Sequence, residues 1–371
     1  MTNPGKVAII GGGKMASNIV DYLMQYDMSI VWYIRNNAVL DEKKRRIEKK
    51  ISRLHKVSSD NQENVSGKLE RVSVTNRFDD VRDAGIIIEC VSEAIESKRA
   101  VFNELQGTNA LLFSNTSSLP LDSFIPENMP GQSAGLHFFY PVQIKQFVEL
   151  NVHDKTELAV LDKMVQFVRG IGKQALVLTE EHHFVLNRIF LTYLAQSCCA
   201  VQMYNIGFDR FDHEIEKSLF PIGPFTFMKN VGFDIMSRSV EMYSRRSSYP
   251  GFFIPMQQVL ESAKERGGRV TNGTGMSGDN DLAQKAAFEV KSVFVNTVYH
   301  ELAAKYVDNH LLIDAIADYA GVTRNSVDRI LNDVTQSLQD TLCRLYNATC
   351  WNVYRPSMLL LETIKNPDKK V

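Results

Sequence analysis

The sequence predicts an α/β protein in which a doubly wound, mostly parallel sheet is followed by all-α C-terminal domains. Three observations predict it. A β-branched run near the N-terminus, "KVAII", turns through three glycines into a helix-spaced segment. Apolar runs of strand length then alternate with amphipathic segments of helix length as far as residue 182. Beyond residue 183 strand signals largely vanish.

In chain order, "KVAII" is the first strand, and Met15, Ile19, Tyr22 and Leu23 mark one face of the helix after it. "SIVWYI" (29–34), "AGIIIECV" (84–91), "ALLFSN" (110–115), "SAGLHFF" (133–139) and "QALVLT" (174–179) read as further strands. "LDEKKRRIEKKISRLHK" and "SKRAVFNELQG" are the helices between them. This first domain spans residues 1–182. "HFVLNRIFLTYLAQSCCAVQMYNIG" and "HEIEKSLF" then read as helices. "GGRVTNGTGMSGDND" (267–281) is linker-like and divides the helical part into 183–266 and 282–371. An internal echo joins those two parts: Tyr204 and Tyr306, like Asp212 and Asp314, lie 102 positions apart. Residues 282–371 are therefore either an additional helical domain or a second copy of the first helical one.

Bulk properties narrow the function classes. With 44% hydrophobic and 23% charged residues and a net charge of −1, the chain has no overall field for nucleic acid or an acidic membrane surface. Five scattered cysteines (Cys90, Cys198, Cys199, Cys343 and Cys350) show no CxxC spacing, which argues against a zinc site or disulfide framework and fits a reducing compartment. His182 and His183 are adjacent, so their side chains point apart, and no third ligand is evident; no metal is expected. "MTNPGKVAII" has no apolar signal core and no window reaches transmembrane length, so a cytoplasmic protein is expected.

"GGGKMA" places Gly11, Gly13 and Ala16 in a Gly-x-Gly-x-x-Ala spacing between strand and helix, the fingerprint of a Rossmann-type dinucleotide site. The first glycine permits the tight turn and the second lets a pyrophosphate approach. Ala16 allows close packing of the helix, whose N-terminus offers amide protons to the anion. Met15 lies in the same loop–helix junction. The second strand should end on an acidic residue for the adenosine ribose, yet the chain reads Ile34, then Arg35, Asn36 and Asn37. Arg35 can pair with a 2′-phosphate, which points to NADP, or stack on adenine in a site that takes NAD. Both cofactors stay open.

These residues stand among six segments whose order and spacing resemble the 3-hydroxyacyl-CoA dehydrogenase family over about residues 5–235. They are "IIGGGKMA", "IIECVSEAIESK", "SNTSSLPL", "GLHFFYPVQIKQFVEL", "GKQALVLTEEHHFVLNRI" and "FPIGPFTFMKNVGFD". The resemblance implies that His137 is the general acid/base and Glu149 the carboxylate that orients it. It implies that Ser117 binds the substrate's 3-oxygen and that Asn187 completes the site. Glu89, Glu93 and Lys98 match the loop beside the nicotinamide half of the cofactor, and Asn115 belongs to the same cofactor-binding set.

The residue types suit that chemistry independently. Oxidising a secondary alcohol removes a hydride and a proton, so a base must reach the hydroxyl. Histidine, with an unperturbed pKa of about 6.5, can serve in both directions. A carboxylate on its other ring nitrogen fixes the tautomer and stabilises the imidazolium.

Three departures surround the retained residues. Tyr140 replaces the asparagine of the family's His-Phe-Phe-Asn-Pro; His182-His183-Phe184 replaces Pro-Gly-Phe; and Ile34 lacks the acid. Retained chemistry with an altered pocket suggests an unusual substrate. "DEKKRRIEKKISRLHK" carries eight Lys/Arg against three Asp/Glu, where the family meets the nucleotide part of coenzyme A. It is either a solvated face or a contact for acyl-CoA or for an acyl carrier protein, as in polyketide-type relatives. A non-catalytic NAD(P)-binding protein is a further alternative. A β-hydroxyacid dehydrogenase of free acids would need a catalytic lysine in a helix segment that has no match here. Close relatives dimerise through the helical domain, so a homodimer or a pseudo-dimeric monomer is expected.

Overall fold

Strand β1 (Lys6–Ile10) is buried at four of its five residues, because both faces of its sheet are covered and the apolar run has no solvent side. With β2 (Ser29–Tyr33), β3 (Val72–Thr75), β4 (Ile86–Glu89), β5 (Leu111–Ser114), β6 (Ser133–Phe138), β7 (Phe147–Val152) and β8 (Gln174–Leu178) it forms one eight-stranded sheet. The strand order is β3-β2-β1-β4-β5-β6-β7-β8. Every neighbouring pair is parallel except β6 with β7. The order reverses direction between β1 and β4, and ligands of such sheets bind at the carboxyl ends of the strands there. The computed structural model describes residues 5–57, 71–179, 183–266 and 280–366. It divides into two units, Met1–His183 and Phe184–Val371.

In the first unit, Ile9, Trp32, Ile88, Phe113, Leu136 and Leu150 of the sheet pack in one core. The helices Lys14–Leu23 and Leu158–Gly170 add Val20, Leu23, Met164 and Val168. Each such side chain contributes about 1.5–3 kcal/mol on full burial. All six strands read from the sequence are present, and two more were not read. β3 is a short edge strand, only half-buried. β7 is buried along its whole length, but Glu149 and Asn151 interrupt its apolar run.

The second unit is helical. Its two longest helices, Val185–Tyr204 and Asn280–Ala304, run antiparallel. Arg188, near the start of the first, bonds Glu301, near the end of the second, through Nε at 2.7 Å and a second nitrogen at 2.9 Å. At the other end the Tyr204 hydroxyl donates to Glu289 at 2.5 Å. Phe190, Tyr193, Phe220 and Phe294 pack ring against ring between them. The internal echo falls on two helix pairs, Val185–Tyr204 with Phe208–Ser218 and Asn280–Ala304 with Asn309–Ala320. Asp212 accepts from the amides of Phe225 and Thr226 at the start of the next helix, whereas Asp314 accepts from Arg324. Most of the linker stretch, 267–279, lies outside the described residues, as does His182. Among the described residues no helix is long and apolar enough to cross a membrane.

Candidate active site

The glycine loop leaves β1 beside the end of β4. Gly11 has φ 131°, and a Cβ there would stand 2.4 Å from the Cys90 carbonyl oxygen, so only glycine fits. Gly12 is tight for a lesser reason: its Cβ would meet the Val39 side chain, at Cγ1, at 2.9 Å. At Gly13 a Cβ would meet nothing within 4 Å. Gly13 is the N-cap of the helix Lys14–Leu23 and supplies no side-chain cap, so no cap side chain occupies the first-turn amides. That cradle fits a dinucleotide pyrophosphate. Ala16 is fully buried and Met15 packs partly against the core.

At the end of β2 the Ile34 side chain is buried in the core and offers no acceptor to a ribose. Asn36 is used locally, its Oδ1 accepting from the amides of Ala38 and Val39, and Asn37 accepts from Asn76. Arg35 is an exposed cation at this corner.

The carboxyl ends of β4 and β5 are joined by a buried ion cluster. Lys98 Nζ lies 3.1 and 3.0 Å from the two oxygens of Glu89 and 3.2 Å from Glu93 Oε2. Glu89 is fully buried and also accepts from Ser114 Oγ (2.5 Å) and the Val91 amide (2.6 Å). Glu93 Oε1 gathers the loop after β5. It accepts from Thr116 Oγ1 (2.7 Å), from the amides of Ser117 (2.8 Å) and Ser118 (3.2 Å), and from both serine hydroxyls at 3.3 Å. Burial alone would raise the Glu93 pKa, but Lys98 and the bonds from Thr116 and Ser117 hold it below the ordinary carboxylate value. Burial works the other way on Lys98, yet Glu89 and Glu93 keep it above the ordinary lysine value. Burial, aided by Glu89, raises the thiol of Cys90, which stays protonated.

His137 and Glu149 stand directly opposite each other in the antiparallel β6–β7 ladder. Nδ1 of the ring is 2.8 Å from Glu149 Oε2, and the carboxylate is 0% exposed. Phe139 packs edge-on to the imidazole at 4.5 Å. Asn115 ties this strand to the loop after β5: its Oδ1 accepts from the amide of Phe138 at 3.0 Å, and its own amide donates to Glu89 O. The first unit thus brings His137, Glu149, Asn115, Ser117, Glu89, Glu93 and Lys98 to the adjacent ends of β4, β5 and β6. Asn187 belongs to the second unit, in the first turn of Val185–Tyr204, where Tyr319 OH approaches its Oδ1 at 3.5 Å. His183 Nε2 lies 3.0 Å from the Val152 carbonyl oxygen. Gly12, Thr116, Ser118 and Ser114 were not singled out from the sequence. Only Gly12 carried a visible signal there, as the middle of three glycines.

Comparisons to known proteins identify the family. The family profile described as 3-hydroxyacyl-CoA dehydrogenase, NAD binding domain, matches residues 6–181, and the C-terminal domain of that family matches 184–274. A probable 3-hydroxyacyl-CoA dehydrogenase of Caenorhabditis elegans is 29% identical over 244 residues, 62% of this chain and 77% of that one. The fatty acid oxidation complex subunit alpha of Shewanella frigidimarina is 27% identical over 275 residues, 72% of this chain but only 36% of its own length. Among solved structures, 3-hydroxybutyryl-CoA dehydrogenase of Escherichia coli K12 superposes with a TM-score of 0.79, covering 99% of each chain at 17% identity. That low identity speaks for the fold alone. On its two matched domains, the chain belongs to the 3-hydroxyacyl-CoA dehydrogenase family of oxidoreductases.

Proposed function

We propose that the protein interconverts a 3-hydroxyacyl thioester and the 3-oxoacyl thioester by hydride transfer to or from a nicotinamide cofactor. The observation that carries this reading is the buried His137–Glu149 pair at 2.8 Å, at the end of the strand next to the Ser117 loop. The nicotinamide ring, when bound, supplies the hydride acceptor or donor. Gly11, Gly13 and the first turn from Lys14, with Met15, hold its pyrophosphate. His137 takes the alcohol proton through Nε2 in oxidation and returns it in reduction. Glu149, on Nδ1, keeps the tautomer and stabilises the imidazolium. Ser117 orients the 3-oxygen, and Glu93, ion-paired with Lys98, holds the Ser117 backbone and hydroxyl in place. Glu89 acts at one remove, as the buried counter-charge of Lys98, and Asn115 keeps the Ser117 loop against β6. The part given to Asn187 is carried by the family resemblance alone.

Cofactor and carrier are arms of one experiment. Ile34 offers the ribose nothing and Arg35 offers a 2′-phosphate a donor, which favours NADP, while the matched domain is described as NAD-binding. The hollow of about 870 Å³ on the helix Asn37–Val57 is lined by Arg45, Arg46, Lys49 and Lys50, but also by Asp21, Asp41 and Glu42. Asp21 bonds both Arg46 and Lys50. With charge this nearly balanced, nothing there prefers an acidic carrier protein to acyl-CoA. The test follows reduced-nicotinamide absorbance with NADH or NADPH and an acetoacetyl group on coenzyme A or on a carrier protein. Turnover in at least one combination, abolished by His137→Gln with dinucleotide binding intact, is the expected result. No turnover in any combination, or an active His137→Gln variant, overturns the reading. Light scattering separates the two assemblies open to this chain: a monomer is expected where residues 282–371 are a second copy of 183–266 that closes a pseudo-dimer, and a homodimer where they are an additional helical domain.

A further inference from the structure

We propose that Lys14 and Tyr140 form a cation–aromatic pair that adds a fixed positive charge to the dinucleotide pyrophosphate cradle. The inference rests on the dinucleotide-binding part of the proposed function. Lys14 is the first residue of the helix capped by Gly13, and its Nζ lies 3.8 Å from the centroid of the Tyr140 ring. Tyr140 is 50% exposed, so the ring is spent on no core and presents its face to the cation. It stands three residues beyond His137, where the family resemblance expects asparagine. The β6–β7 connection that carries it is held against the helix. Gln143 Nε2 donates to the Asn18 carbonyl oxygen at 3.3 Å, and Asn18 Nδ2 donates to that of Lys14 at 3.0 Å. At its far end Lys173 Nζ, fixed over the Tyr22 ring, donates to the carbonyl oxygens of Val142 (2.6 Å) and Lys145.

A lysine is a strongly hydrated charge on a flexible stem, and ordering it costs side-chain entropy. The ring meets part of that cost in advance by holding the ammonium, which is carried on the first residue of the helix whose N-cap makes no side-chain bond. No acidic residue lies in the first turn to neutralise it. Anion binding at the cradle thus has two sources, backbone amides and one preplaced cation.

The test is the dissociation constant of NADH and of NADPH, read by protein fluorescence quenching at low and high salt on the full chain. Lys14→Met should weaken both dinucleotides by the same factor, about tenfold at low salt, because the pyrophosphate is common to them. The difference from wild type should shrink at high salt. Tyr140→Leu should weaken binding about two- to fivefold and Tyr140→Phe should not. In the Lys14→Met background Tyr140→Leu should add nothing. Unchanged affinity in Lys14→Met overturns the proposal, as does a loss confined to NADPH, which would put Lys14 on the 2′-phosphate. A full Tyr140→Leu effect without Lys14 also overturns it. A wild-type chain that binds neither dinucleotide would instead overturn the functional reading beneath it.

Discussion

Replacing Lys98 by methionine should cost the first unit about 3 kcal/mol, at the lower end of what breaking a buried ion pair costs. The side chains of Lys98 and Glu89 are each 1% exposed, and Lys98 contacts three carboxylate oxygens within 3.2 Å. Methionine fills the same space but leaves Glu89 as an uncompensated buried charge. Two features hold the cost down: Glu93 is 24% exposed, and each carboxylate keeps its bonds to the Ser114 or Thr116–Ser118 groups. Adding Glu89→Gln should recover much of the loss, because the stranded charge goes with it. The assay is urea unfolding followed by tryptophan emission in a Trp351→Phe background, where Trp32 alone reports on the first unit. The sign of the pH response is a second check. In the native chain the depressed Glu93 contributes stability above its ordinary pKa, lost as pH falls through its folded value. The raised Lys98 contributes below its ordinary pKa, lost as pH rises through its folded value. The variant lacks the cation that holds Glu93 down, so its deficit should shrink as the solution is acidified. A variant within about 0.5 kcal/mol of wild type at neutral pH would refute the reasoning.

The glycines of the loop should separate by experiment. Gly11→Ala should lose about 3 kcal/mol of stability from its positive φ and its clash with Cys90. Gly13→Ala should keep its unfolding midpoint and lose dinucleotide affinity in titration, and wild-type affinity there would remove Gly13 from the pyrophosphate site. Arg35→Leu should weaken NADPH about tenfold and leave NADH unchanged, as measured by equilibrium titration; equal loss of both would assign Arg35 to adenine. Glu149→Gln should lower the turnover number about a hundredfold with dinucleotide affinity retained, and a loss below about threefold would dismiss Glu149 as the orienting group.

The sheet was legible where parallel strands are buried on both faces, because "KVAII", "AGIIIECV" and "ALLFSN" leave no room for a helix period. It was illegible at β3, whose half-exposed edge position weakens the pattern, and at β7, where the buried polar Glu149 and Asn151 look like a break. The site followed the same rule. His137, Glu149 and Ser117 were singled out as candidates through the family resemblance, and the glycine loop through its spacing. The bonds from Thr116 and Ser118 to Glu93 were not, since a hydroxyl and an amide meeting a carboxylate more than twenty residues away leave no periodic trace. The local charge run was legible, but its partners in space were not. Of its eight cations, Arg46 and Lys50 both pair with Asp21 of the preceding helix, a contact that no local pattern announces.

The pairing of β6 with β7 is what turns a twelve-residue separation into contact. Directly opposed residues of an antiparallel pair project to the same face with Cβ atoms about 5 Å apart. A slip of one residue would send Glu149 to the other face, away from His137. The carboxylate would then be buried without the ring that bonds it, at a cost of several kcal/mol. Phe147, Val148 and Leu150 are all buried in β7, so the strand must pair, and Glu149 decides in which register. The same pair therefore specifies the sheet and, on the proposed function, holds the imidazole for proton transfer. His137→Gln keeps a side-chain donor for Glu149 while removing the base, which is why it separates the two tasks where His137→Ala would disturb both.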